Sequence, residues 1–120
     1  MKKFILLYPL LLVGCYLANG SPLPTNYWEK QGKIITSNEQ KFCHDKVYGS
    51  FNNRFNYLDD LFWNDELSPT EYSEYSLYLR RAKPMISQCY FDLGYRFTAP
   101  YYWCIAESNM DTCKINQKYR

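Results

Sequence analysis

The chain has 120 residues, with 14 basic and 12 acidic side chains, and 47% of it is hydrophobic; the aromatic load is 13 Tyr, 7 Phe and 3 Trp. That length fits one domain rather than two, and so many aromatic side chains exclude a disordered chain. A net charge of +2 with the charges scattered gives no basic stripe, so no nucleic-acid partner is expected.

Residues 1–14 begin with Lys2 and Lys3 and then run without charge from Phe4 to Gly14. A cationic start followed by a short apolar run is the build of an export signal. The run is well short of the ~20 residues that cross a bilayer. Its end, Leu12-Val13-Gly14-Cys15, resembles the lipobox of bacterial lipoproteins. That resemblance implies cleavage before Cys15, lipid on its thiol and amine, and, with Tyr16 next, an outer-membrane destination. The rival is ordinary cleavage after Gly20, since Ala18-Asn19-Gly20 also fits the small-x-small rule; the product would be a soluble secreted disulfide protein. Position, apolar length and the paired lysines favour the lipobox. Loss of Lys2 and Lys3 leaves 12 basic and 12 acidic side chains, so the mature surface has no charge bias. The expected organisation is a signal peptide 1–14, a lipidated Cys15 with a Pro-containing tether 15–26, and a single domain 27–120.

Setting Cys15 aside leaves Cys43, Cys89, Cys104 and Cys113. Four cysteines in an exported chain of this size read as two disulfides, with three possible pairings. Cys43–Cys89 and Cys104–Cys113 are favoured, because the first pair falls on predicted helices and the second brackets a short loop. No Cys-x-x-Cys occurs, so no zinc site is expected. No metal or cofactor is expected beyond the lipid on Cys15.

Within the domain, Thr36 and Ser37 are candidate N-caps with Glu39 and Gln40 placed to complete a capping box. A helix is predicted over about 38–48, carrying Phe42, Cys43 and Val47, with Gly49 to end it. Ser50 is placed to cap a second helical segment with Phe51, Phe55, Leu58 and Phe62 at helical spacing. The strongest start is Ser68-Pro69-Thr70-Glu71: a Ser cap, Pro in the first turn, Glu three residues on. Tyr72, Tyr75, Leu79, Ala82, Ile86, Cys89 and Leu93 then recur every three or four residues up to Gly94, a C-terminal cap. Pro84 falls inside this helix and is expected to kink it. Tyr95 to Trp103 reads as a short extended segment. Residues 104–120 read as a disulfide-closed loop and a polar tail. The fold class is therefore mainly α: a small antiparallel helical hairpin or bundle, stapled by two disulfides, with an irregular aromatic C-terminal segment.

Two short motifs, Trp28-Glu29-Lys30-Gln31-Gly32 and Cys89-Tyr90-Phe91-Asp92-Leu93-Gly94-Tyr95, together with the lipobox, make the chain similar to a loose class of small bacterial envelope lipoproteins of largely uncharacterised function. In that pattern Met often follows the second Cys, where this chain has Tyr90, and the Cys104/Cys113 pair lies outside it. The resemblance implies a fold and a location and carries over no catalytic residue.

Chemistry is sparse. The sole histidine, His44, follows Cys43 directly; helix neighbours point roughly 100° apart and do not form a nucleophile–base pair. Asp59, Asp60, Asp65 and Glu66 lack the register of a calcium loop. No phosphate loop, Gly-x-Ser-x-Gly elbow or His-Glu-x-x-His is present, so no catalytic residue is assigned and a non-enzymatic role is expected. Trp28, Tyr101, Tyr102 and Trp103 lie outside the helical seam and are the candidate partner-binding residues, since Tyr and Trp dominate binding hot spots; the rival reading, slightly favoured, is that these aromatics cover a small core short of aliphatics. The expected role is a lipid-anchored, periplasm-facing module that binds another envelope protein or is a structural component of the envelope. The alternative is a protective lipoprotein giving toxin immunity or phage exclusion.

Overall fold

A computed structural model describes residues 23–120; the expected export signal, Cys15 and Gly20 lie outside the described residues. The architecture is mainly α, five helices and a small three-stranded sheet. A 3-10 turn at Pro24–Tyr27 leads into β1 (Trp28–Lys30) and β2 (Lys33–Ile34). Helices α1 (Ser37–Gly49), α2 (Asn53–Trp63) and α3 (Pro69–Asp92) follow, then β3 (Arg96–Phe97), α4 (Tyr101–Cys104), α5 (Glu107–Asn116) and a closing 3-10 turn, Gln117–Tyr119. Regular structure thus begins at Pro24, inside the stretch expected to be tether.

The sheet runs β2-β1-β3, antiparallel throughout. Gln31 and Gly32 join β1 to β2 with positive φ at both, 52° and 76°, the geometry of a tight hairpin turn whose twist suits the strands. Trp28 faces Phe97 across the ladder, and its indole also meets Tyr90 and Tyr119, with ring centroids 5.3 and 5.9 Å away. These residues join Ile35, Cys43, Val47, Ala82, Ile86 and Cys89 in the main core. The Cys43–Cys89 bond staples α1 to α3 at its centre (Cα–Cα 5.7 Å), and Cys104–Cys113 ties α4 to α5 (Cα–Cα 5.8 Å).

Helix ends follow local chemistry. Thr36 Oγ1 accepts from the Glu39 amide and donates to its carboxylate. Ser50 binds back to the Val47 carbonyl, and the cap of α2 is Asn52, whose side chain accepts from the Phe55 amide. Phe51 therefore precedes α2 instead of lying within it. Ser68 and Glu71 form a complete capping box on α3, in which each side chain satisfies the other's backbone N–H. The other end of α3 closes with Gly94 at φ 98°. There the Gly94 amide donates to Phe91 and the Tyr95 amide to Tyr90, the paired bonds of a Schellman cap. Lys30 Nζ adds a bond to the Leu93 carbonyl at 3.0 Å, a cation where the helix dipole is negative. α3 continues through Pro84, and its buried seam starts at Tyr75, because Tyr72 is 57% exposed.

A satellite core forms between α2 and α3, where Phe55, Leu58 and Tyr75 are buried. Tyr48, Phe55, Tyr75 and Phe62 stack in a column, successive centroids 5.4, 5.8 and 5.1 Å apart. Asp59 accepts from the Tyr75 hydroxyl at 2.7 Å. Arg54 makes a two-pronged bond to Glu74 at 2.9 and 2.8 Å.

The last stretch departs most from the sequence reading. Residues 107–116 form α5 where a loop and polar tail are expected. α5 has no apolar stripe to announce it; its buried residue is Asn116, and Tyr119 just beyond is the side chain that enters the core.

Candidate surface at the C-terminal corner

The four candidate contact residues separate into two classes. Trp28 and Trp103 are 2% and 4% exposed, both in the main core, so neither offers a surface to a partner. This corrects their assignment. Trp28 is held on the inner face of β1, and Trp103 packs edge-on with Tyr27 at 4.9 Å. Tyr101 and Tyr102, by contrast, are 82% and 74% exposed. Consecutive helical residues point roughly 100° apart, so a three-residue aromatic run on α4 cannot all turn inward. Trp103 is the one buried.

Beside Tyr101 lies a groove of about 490 Å³ between α4 and α5. It is lined by Tyr101, Ile105 and Met110, by the Cys104–Cys113 pair, and by the cations Lys114 and Arg120. Ile105 and Met110 are exposed apolar side chains, and the sequence reading missed both. The available signal was the three-residue spacing from Met110 to Cys113, which places them on one side of a helix; reading 104–120 as loop and tail hid it. The corner is braced from several directions. Asn109 Nδ2 donates to the Trp103 carbonyl at 3.0 Å, and Arg120 donates to the Ala99 carbonyl at 2.7 Å and toward Cys104 Sγ at 3.6 Å. The Arg120 guanidinium also lies over the Phe97 ring, 5.1 Å from its centroid.

Cys43, His44 and Asp59 have structural partners. Cys43 is bonded to Cys89 and offers no thiolate beside His44, whose ring packs edge-on to Tyr48. Among the described residues, no group of three or more His, Cys, Asp or Glu gathers to hold a metal. No helix of the described residues is long and apolar enough to cross a membrane. A second cleft, about 400 Å³, lies among Trp28, Tyr48, Ile86, Tyr90 and Asn116. Asn116 Oδ1 there is the one buried side-chain polar atom without a hydrogen-bond partner among the described residues.

The two short motifs, residues 28–32 and 89–95, meet in space. Trp28 packs on Tyr90, Lys30 caps the helix at Leu93 and Gly94, and the hydroxyl of Tyr95 donates to Glu39 on α1 at 2.5 Å. They form one structural joint between sheet and helices. The chain matches no protein-family model, no curated protein and no solved structure.

Proposed function

We propose that this chain is a non-enzymatic envelope lipoprotein, anchored in the outer membrane through lipid on Cys15, that binds another envelope protein from its periplasm-facing side through the corner formed by α4 and α5. The observation that carries the binding surface is Tyr101, exposed beside Ile105 and Met110 along a groove edged by a disulfide, with its exposed neighbour in sequence, Tyr102. Contiguous exposed apolar side chains are uncommon on a protein without a partner. Tyrosines supply hot-spot area, and a braced corner loses less conformational freedom on binding than a loop. The anchor rests on Leu12-Val13-Gly14-Cys15 and its cationic apolar leader.

Two measurements test the proposal. Mass analysis of the mature protein should find an N-terminal acylated Cys15; a water-soluble product beginning at Ser21 would refute the anchor. Cross-linking in the native membrane, followed by identification of the adducts, should yield one dominant envelope protein joined near Tyr101 and Tyr102. A secreted toxin or a phage protein as the dominant adduct would replace this reading with a protective role. Intact protein with no specific adduct would contradict stable protein binding.

A further inference from the structure

The two disulfides sit in opposite surroundings. Cys43 is wholly enclosed and Cys89 is buried, between α1 and α3 in the main core. Cys104 and Cys113 are half-buried at the edge of that core and line the open groove between α4 and α5. Cys89, 6% exposed, also borders a cleft of about 470 Å³, but the half-buried outer pair is the more accessible to a reagent thiol, and Cys43 is reached only after the core opens. The surroundings of the outer pair are also asymmetric. Arg120 directs a guanidinium N–H at Cys104 Sγ from 3.6 Å, and no cation is bonded to Cys113 Sγ among the described residues. A fixed positive charge favours the thiolate form of the sulfur beside it, and a more stable thiolate leaves faster in disulfide exchange.

From this geometry we infer that Cys104–Cys113 is a thiol–disulfide exchange site for a dithiol reductant, with Cys113 the attacked sulfur and Cys104 the leaving thiolate held by Arg120. The thiolate of the incoming dithiol attacks Cys113 Sγ. A new sulfur–sulfur bond forms, the Cys104–Cys113 bond breaks, and its electron pair departs on Cys104. The second thiol of the reagent, once deprotonated, attacks its own sulfur in the mixed disulfide and releases Cys113 as thiolate. The reagent ends as its disulfide, and the pair in the protein has gained two electrons and, on protonation, two protons. The same steps in reverse close the bond. Reduction unties α4 from α5, so the groove and its exposed tyrosines lose their covalent brace.

The test uses the full chain, natively folded and exposed to limiting dithiothreitol, with free thiols alkylated over time and located by mass spectrometry. Cys104 and Cys113 should be labelled at least about tenfold faster than Cys43 and Cys89, since the inner pair lies in the main core with Cys43 wholly enclosed and opening of a core costs more than local access at an edge. With a brief exposure to glutathione, and the freed thiol alkylated at once so that neither Cys104 nor a second glutathione resolves the mixed disulfide, the first adduct should sit on Cys113. Arg120→Gln should slow opening about threefold or more and spread the adduct over both sulfurs, with Arg120→Lys restoring much of the preference. Equal opening of the two disulfides, or an adduct on Cys104 in the unaltered chain, would overturn the inference. The adduct position in the unaltered chain decides the matter even where an Arg120 variant folds poorly.

Discussion

The main body and the C-terminal corner are built from the same materials and use them in opposite ways. Each has a disulfide and a set of large aromatic residues. In the body the disulfide is buried, and Trp28, Tyr90, Tyr95 and Phe97 surround it. At the corner the disulfide edges a groove, and Tyr101 and Tyr102 stand in solvent. The body's aromatics supply the apolar area that a chain with few aliphatics needs for a core. At the corner Trp103 is buried likewise, but Tyr101 and Tyr102 contribute little burial, so stability gives little reason for those two being aromatic. Aromatic content alone therefore does not mark a binding site; exposure narrows the candidates, and Trp63, 77% exposed on α2, shows that the body also leaves a ring in solvent.

Substitutions should separate the two regions sharply. The largest effect is expected at Trp28, where Trp28→Ala should cost about 3–5 kcal/mol in urea unfolding; a loss below ~1 kcal/mol would mean the indole is not central to the core. Next come the disulfides. Removing Cys43–Cys89, which closes a 46-residue separation, should cost about 4 kcal/mol by loop entropy. Removing Cys104–Cys113, which spans 9 residues, should cost about 3 kcal/mol or less on the same basis. Equal losses would contradict the division into inner and outer staples.

Smaller again is Gly94→Ala. Its φ of 98° disfavours any side chain, and a Cβ there would lie 3.3 Å from Lys30 Cε. A penalty of about 1–2 kcal/mol is expected from the backbone alone, measurable as a shift in urea midpoint at constant slope.

The pH response belongs to the body and its satellite core. Glu39, Glu71 and Glu74 are held below the ordinary 4.5 by hydrogen bonds from Tyr95, Ser68 and Arg54 respectively. A lowered folded value means that their stabilisation is present above about pH 4.5 and fades as pH falls through the lower values. Burial pushes the Tyr90 phenol up to about 12 from an ordinary 10. That stabilisation is complete below pH 10 and is lost as pH rises toward 12. Urea midpoints across pH should show a plateau between these limits, and tyrosinate absorbance should include a late-titrating fraction. A steady decline through neutral pH would contradict it.

Much of the body was legible in the sequence because its signals are local. The Ser68-Pro69-Thr70-Glu71 start, the seam from Tyr75 to Cys89 and the stop at Gly94 all act within a few residues of themselves. The pairing of Cys43 with Cys89 followed from the helices that carry them. The sheet was not legible, since strands of two or three residues are too short for alternation, and β3 joins β1 from nearly 70 residues away. α5 was missed because what it buries is an asparagine rather than an apolar stripe. At the corner, Tyr101 and Tyr102 were correctly picked out as lying off the helical seam. Their separation from Trp103 depends on the rotation of a single helical turn, which the packing of Trp103 into the main core, edge-on to Tyr27, fixes.

The measurement that tests the central claim most directly compares Tyr101→Ala/Tyr102→Ala with the unaltered protein for both urea stability and partner capture in the native membrane. Exposed substitutions typically change stability by within about 0.5 kcal/mol each. The account therefore predicts near-native unfolding together with loss of the captured envelope protein. Undiminished capture would contradict the claim that this corner is the contact surface, and a loss of stability like that expected for Trp28→Ala would show that the corner's tyrosines are part of the core.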